Sequence, residues 1–352
     1  MSTNRAPQVE TTQRFSLSQA VAAGLSRVFG WLLAGMGVVL LGWATLAIYY
    51  ANLPWAWLRL GLAGAFLTFG IWALWLSRRR WTMLLFTGLF LGVLLWWISI
   101  SPSHDRLWRS EVALMPRAII DGDRVRITGV RNFTYRSQDD FTVRWEEREV
   151  LLSHLTSVDF FVSYWMPGPV AHTFVSFNFD NAPPLCISIE ARSELGESYD
   201  PIASLFKQSE LIYVVGDERD IVQVRTNYRH EDVYVYRIQR PPEAARRLFL
   251  VYLERINELA DRPEFYHLLS NSCTINIVRY ANVAGRVGRL DFRLVLNGFS
   301  DRYLYRGGYV DTTLPFAELR QRSRINDAAQ AAGNVPDFSA RIRASLPTIA
   351  PR

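Results

Sequence analysis

The sequence predicts an α+β protein in which three N-terminal transmembrane helices precede a domain with a mainly antiparallel sheet and a helix that carries a cysteine. Three observations point there: three long apolar runs in the first hundred residues, a switch to short alternating segments beyond them, and two helical patterns later in the chain. A length of 352 residues suits about two structural units. The divisions read from the pattern are a cytoplasmic N-terminal arm over 1–27, the spans over 28–101 and one α+β domain over 102–352.

The apolar runs extend from about Val28 to Tyr50, Pro54 to Leu76 and Thr82 to Ile100. Each is long enough to cross a hydrocarbon core of about 30 Å. The first is too long for a signal-peptide core and no small-residue cleavage site follows it. Buried helices of a soluble core would carry a polar face, and these runs have almost none. The formal net charge of +6 would ordinarily suggest nucleic acid as a partner, so its location matters. Residues 1–101 hold Arg5, Arg14, Arg27, Arg59, Arg78, Arg79 and Arg80 against the single acid Glu10, which accounts for all of it. The remaining 251 residues are formally neutral, and nucleic acid is not expected as a partner. Arg5, Arg14 and Arg27 precede the first span and arginines fill the turn Ser77-Arg78-Arg79-Arg80, whereas Ala51-Asn52-Leu53 is uncharged. The positive-inside rule then places the N-terminus in the cytoplasm and everything after about Ser101 outside. Trp55, Trp57, Trp96 and Trp97 fall where an outer aromatic belt belongs.

From Pro102 onward the pattern predicts strands at Arg124 to Val130, Val150 to Leu155, Val158 to Tyr164, His172 to Phe179, Leu185 to Ala191, Leu211 to Gly216, Ile221 to Thr226 and Val233 to Ile238. A helix follows Pro241-Pro242-Glu243, with Leu248, Val251, Tyr252, Leu253, Ile256 and Leu259 on one face. A second helix runs from about Cys273 to Asn282 after the polar turn Ser270-Asn271-Ser272. Beyond Asp301 the chain is polar and rich in arginine, punctuated by Gly307-Gly308 and Pro315.

Several chemistries lack their residues. There is no phosphate-binding glycine loop, no Gly-x-Ser-x-Gly elbow and no paired-cysteine or His-Glu-x-x-His metal motif. Lys207 is the sole lysine, and the five histidines are scattered without ligand spacing, so neither a metal nor a cofactor is expected. What remains is Cys273 at a helix start, with Asn271 or Ser272 as the cap. There the helix-end N–H groups favour thiolate and supply donors for an oxyanion. The competing reading is a small buried hydrophobe. His172, opening a strand beside the loop Met166-Pro167-Gly168-Pro169, is a candidate general base or a structural histidine. Period two puts Cys186, Ser188 and Glu190 on one strand face. Glu190 either orients His172 or forms a surface ion pair with Arg192 or another arginine; Cys186 is a second candidate thiol or a disulfide partner for Cys273.

The runs Ser163-Tyr164-Trp165, Ala171-His172-Thr173-Phe174, Ser188-Ile189-Glu190-Ala191-Arg192 and Asn271-Ser272-Cys273-Thr274 resemble the bacterial family of Lnb N-terminal periplasmic domains, lipoprotein N-acyltransferase-like, within the permuted papain-like NlpC superfamily. The resemblance spans most of 125–320. It implies a papain-like periplasmic domain anchored in the inner membrane, with Cys273 as nucleophile, His172 as base, Glu190 as third member and Asn271 and Ser272 positioning the oxyanion. It also implies transfer of an acyl chain from membrane phospholipid through a Cys273 thioester to an amine such as a lipoprotein N-terminus. Where the family's name-giving enzyme carries its membrane region after the domain, three spans precede it here. The competing functions are a peptidoglycan-peptide cysteine hydrolase and an inactive envelope interaction module.

Overall fold

The computed structural model describes residues 12–347 except 52, 54, 78, 198, 286–290, 292, 293 and 295, and describes residues 12–20 and 23 by backbone alone. Arg5, Glu10 and the rest of 1–11, together with Asn52 and Arg78, lie outside the described residues. Contacts divide the chain into two compact units, Met1–Ser101 and Pro102–Arg352.

The first unit contains the helices Thr12–Tyr49 (α1), Ala56–Ile71 (α2) and Arg80–Ser99 (α3), with α2 continuing through a π-helical turn, Trp72–Leu76. Segments of 26, 21 and 20 residues in them are long and apolar enough to cross a membrane. Helix α1 begins well before the apolar run, so part of the expected arm is helical. Leu41, Ala44 and Ile48 of α1 pack with Ala63 and Phe66 of α2 and Phe86 of α3. A side chain at Gly70 would collide with Leu41, so this glycine permits the close helix approach usual for small residues in membrane spans. Trp31, Leu32, Leu60 and Leu84 stay exposed on these helices, a surface suited to lipid rather than water.

The second unit is built on the strands Arg117–Asp121 (β1), Arg124–Arg131 (β2), Thr134–Tyr135 (β3), Phe141–Thr142 (β4), Trp145–Leu151 (β5), Leu155–Tyr164 (β6), His172–Phe179 (β7), Leu185–Arg192 (β8), Glu210–Gly216 (β9) and Asp232–Arg237 (β10). The described strands give a sheet ordered β1-β2-β9-β8-β7-β6-β10, with β5 also on β2; β3 and β4 form a separate hairpin. Pairing is antiparallel apart from the single parallel match of Arg131 with Gly216. The architecture is therefore the expected α+β one, mainly antiparallel.

Strand periodicity sorts the core into two layers. Phe160, Val162, Val175, Phe177, Ile187 and Tyr213 meet Phe249, Tyr252, Leu253 and Ile256 of the helix Pro242–Asp261 (α5). Their neighbours Phe161, Phe174, Cys186, Ile212 and Val214 face the opposite side. That side is covered by Ile221 and Val222 of the helix Glu218–Gln223 (α4) and by residues from the last fifty of the chain. Central strands buried on both faces explain the almost continuous apolar runs.

Two expectations need correction. Ile221 to Thr226 is not a strand: α4 and a π-helical turn, Val224–Tyr228, occupy it. The Asp217 side chain accepts the Arg219 N–H, and Glu218 and Asp220 favour the positive end of the helix, which outweighs the β-branched composition. Likewise β5 ends at Leu151, and a tight turn at Leu152–His154 separates it from β6. The arginine-rich tail folds into the helices Ser300–Arg306 (α7), Phe316–Ser323 (α8), Asn326–Ala332 (α9) and Phe338–Arg341 (α10), which follow the cysteine-bearing helix Cys273–Val283 (α6). Apolar residues of this tail are not left at the surface: Ile325, Ala329, Phe338 and Ile342 are buried in the second layer.

Candidate active site

Cys273 is the first residue of α6 and is 2% exposed, with Ser272 in the cap position. Ser272 makes no side-chain cap, contrary to expectation, so the first-turn N–H groups lack an intrahelical partner beside the thiol. Nor does the Asn271 side chain cap the helix. Its Nδ2 donates to Glu264 Oε2 at 3.1 Å and Phe265 O at 2.9 Å, and its Oδ1 accepts Asn276 Nδ2 at 2.9 Å. Asn271 thereby shapes the turn into α6, while the side-chain amide near the sulfur is another one. Asn297 Nδ2 points at Cys273 Sγ from 3.6 Å, and Asn297 Oδ1 accepts the Ala171 N–H at 2.8 Å. Gly298 secures this arrangement: its N–H donates to Pro169 O at 2.9 Å, and a Cβ there would lie 2.7 Å from the Pro169 carbonyl carbon.

His172 lies across β7 from this helix end. The β7–β8 ladder runs from Phe177↔Leu185 to Phe174↔Ser188, and extending that register by two residues sets His172 opposite Glu190. Ser188, on the same face, bridges them. His172 Nε2 is 2.7 Å from Ser188 Oγ, and Ser188 Oγ donates to Glu190 Oε1 at 2.7 Å; the direct separation of Nε2 and Oε1 is 3.8 Å. Since the carboxylate only accepts and the hydroxyl has one proton, Ser188 accepts from Nε2–H. In the neutral ring this leaves Nδ1 as the nitrogen with a free lone pair, the tautomer needed to take a proton. Phe174 supports the imidazole face, with ring centroids 5.8 Å apart.

Burial is the largest single influence on the Cys273 thiol and would raise its pKa. The hydrogen bond and charge of His172, helped by the backbone N–H and side chain of Thr173, outweigh it and bring the pKa down to about 6. Burial likewise pushes Glu190 up, but Arg225, His172, Arg131 and the Ser188 hydroxyl hold it well below the usual carboxylate range. Arg225 Nη2 donates to Glu190 Oε1 at 2.8 Å. The arginine that pairs with Glu190 is thus Arg225 and not Arg192, whose guanidinium donates to Val112 O and Ala113 O and stacks on Trp108. Cys186 is fully buried, burial raises its pKa, and both cysteines are free. It lacks the helix-end field that Cys273 has.

A cavity of about 170 Å³ opens at the thiol, with Trp165, Val170, His172, Glu190, Tyr266 and Cys273 in its wall. Among the described residues no cluster of three His, Cys, Asp or Glu side chains is placed to hold a metal. Residues 141–298 match the family model of the Lnb N-terminal periplasmic domain. The match covers somewhat less than half of the chain, and over that segment the chain is similar to this family. No curated protein and no solved structure matches the chain.

The Lnb N-terminal match runs from the start of β4 to the Gly298 that anchors the loop after β6, and it contains His172, Ser188, Glu190, Arg225, Cys273 and Asn297. With the three apolar helices, it describes a membrane-associated protein with a periplasmic C-terminal domain. Sequence reasoning did not single out Arg225 or Asn297. Arg225 falls in the segment whose pattern suits a strand but which is helical, and Asn297 acts across 24 residues of intervening chain. The capping sequence from Asp217 to Asp220 was the available signal for the first; local pattern offers none for the second.

Proposed function

We propose that the domain is a cysteine-dependent acyltransferase that takes an acyl chain from membrane phospholipid and passes it to an amine, such as the N-terminus of a lipoprotein. The observation that carries this reading is a cavity of about 490 Å³ alongside α6. Its walls include Val158, Phe160 and Val175 from the sheet, Ile277 and Val278 from α6, and Thr274, the residue next to the nucleophile. Its lining is mostly apolar, and its size falls within the range of small-molecule sites. A chain held there lies beside a thiol that is largely ionised at neutral pH.

The chemistry follows from the side chains. The Cys273 thiolate attacks the ester carbonyl and forms a C–S bond, while Asn297 Nδ2 and the α6 N–H groups face the developing oxyanion. The C–O bond breaks, the leaving alkoxide takes a proton from His172, and a lysophospholipid departs. An amine then attacks the thioester and gives a proton to His172, and the C–S bond breaks to return the thiolate. An α-amino group with pKa of about 7.7 to 8.0 is partly neutral near pH 7, within reach of a histidine base. A strand-borne histidine against a cysteine at a helix start is the arrangement of papain-like enzymes, and the Ser188 bridge takes the place of a direct third member.

The arginines beside the spans support an N-terminus in the cytoplasm and the inner membrane as the location, which agrees with a periplasmic domain after the third span. Anchoring also confines the enzyme to the surface that holds its lipid substrate. The test is release of lysophospholipid from vesicles together with acylation of a lipoprotein-like peptide amine. Both should occur with the full chain and be lost in Cys273→Ala. Release of free fatty acid with no amine product would instead support hydrolysis.

A further inference from the structure

A second chamber, of about 320 Å³, shares Glu190, Ala191, Tyr199, Arg225 and Arg229 with the cavity at the thiol. Its remaining wall includes Arg109, Arg131 and Glu111. The charges pair almost one to one. Arg131 holds buried Asp220 in a two-pronged contact, Arg109 meets Glu111 at 2.9 Å and Arg225 meets Glu190 at 2.8 Å. Arg229 is the exception. Its nearest carboxylate oxygen, Glu231 Oε1, is 3.9 Å away, and its buried Nε has no hydrogen-bond partner. The other Glu231 oxygen already accepts Ser163 Oγ at 2.5 Å. Burial and repulsion from Arg225 lower the Arg229 pKa, as expected for a cation short of counter-charge. A guanidinium with an idle buried donor, lining a polar space of about 320 Å³, is suited to a phosphate or carboxylate oxygen.

We infer that this chamber, with Arg229 as its principal donor, binds the phosphodiester of the acyl donor while the ester carbonyl lies at Cys273. The inference rests on the acyl-transfer reading. Phosphodiester is favoured over a peptide carboxylate because a phospholipid carries it a few bonds from the scissile ester, and the two cavities share a wall. Arg225 and Arg131 are held by their own carboxylates and fix the chamber's shape, which leaves Arg229 free to respond to the ligand.

The test is binding to full-length Cys273→Ala protein in detergent, where no turnover intervenes. The probes are dihexanoylphosphatidylethanolamine, dihexanoylglycerol, which has the same chains and no phosphate, and a short peptide with a free C-terminal carboxylate. The phospholipid should bind at least about tenfold more tightly than dihexanoylglycerol, the scale of one charge-assisted hydrogen bond. Adding Arg229→Gln should abolish most of that difference. Arg109→Gln, at a more exposed position, is the second variant, and thermal melting checks that each folds; it should weaken the preference less. Equal binding of the two lipids, a preference untouched by Arg229→Gln, or a peptide that binds as tightly as the phospholipid would overturn the inference. Because this is a binding measurement, its outcome is separate from acyl transfer. A phosphate preference in Cys273→Ala with no acyl adduct on Cys273 of the wild type keeps the subsite and removes the acyltransferase; an adduct on the wild type without the preference does the reverse.

Discussion

Replacing His172 with alanine gives a direct reading of what the imidazole does to the thiol. In the intact site His172 outweighs the burial penalty on Cys273 and brings its pKa to about 6, with further help from Thr173. Without the ring, the main counterweight to burial is gone, and the thiol returns toward the ordinary value of about 8.5. At pH 7 the thiolate fraction then falls from roughly 90% to about 3%, a factor of about 30. The rate of alkylation at that pH changes much less. A more basic thiolate is a better nucleophile, with a Brønsted coefficient of about 0.4–0.5, so a difference of about 2.5 pK units restores about 10- to 18-fold. A net change of only about two- to threefold remains. The midpoint of the pH–rate profile is therefore the quantity to measure, using iodoacetamide and intact mass on the full chain in detergent. The wild type should titrate near pH 6 and His172→Ala above about pH 8. Cys186, buried and with its thiol pushed up, should remain unmodified while the protein is folded. A wild-type midpoint near 8.5, or an unchanged midpoint in the variant, would refute the assigned pairing.

Three further outcomes are expected. Ser188→Ala and Glu190→Gln interrupt the same bridge, so each should lower kcat by about 10²-fold and the double variant should be little worse than the weaker single one; multiplying losses would show that the two act separately. Asp220→Ala strands buried Arg131 and removes the acceptor of the Phe133 N–H and Tyr135 hydroxyl, which should destabilise the domain by about 3–5 kcal/mol in denaturant titration; a loss under about 1 kcal/mol would contradict the buried pair. Burial pushes Glu210 up to about 7 although Arg106 lies 2.8 Å away. Between the unfolded pKa of about 4.3 and that value, the folded state keeps a proton that the unfolded chain loses, so this group's contribution to stability falls as pH rises across the window. The melting temperature of Glu210→Gln relative to wild type should therefore increase from pH 5 to pH 7.5, and a flat difference would count against the shift.

The spans, the strand that starts at His172 and the helix that starts at Cys273 were readable because each rests on local periodicity or a run of apolar residues. Ile221 to Thr226 shows where that fails. Its β-branched residues fit a strand, but the capped acidic turn before it and the second sheet face, where Ile221 and Val222 are buried, make it helical. The tail beyond Asp301 looked merely polar because its buried residues, such as Leu319, Ile325 and Phe338, are sparse and meet partners far away in sequence. The site divides in the same way. Strand parity put Ser188 and Glu190 on one face, but only the register with β7 brings that face to His172. Asn271 and Ser272 are adjacent to Cys273 in sequence, yet the nearby side-chain amide comes from Asn297, held in place by the loop after β6. Proximity along the chain did not reveal the fold's choice of donor.

The central claim is that Cys273 carries the acyl group. Intact-mass analysis of the full chain after incubation with phospholipid tests it most directly. The account predicts a mass increase of one acyl chain, mapped to Cys273, removed by neutral hydroxylamine, absent in Cys273→Ala and strongly reduced in His172→Ala. A protein that releases lysophospholipid at full rate in Cys273→Ala, or that never carries the adduct while turning over, would contradict it.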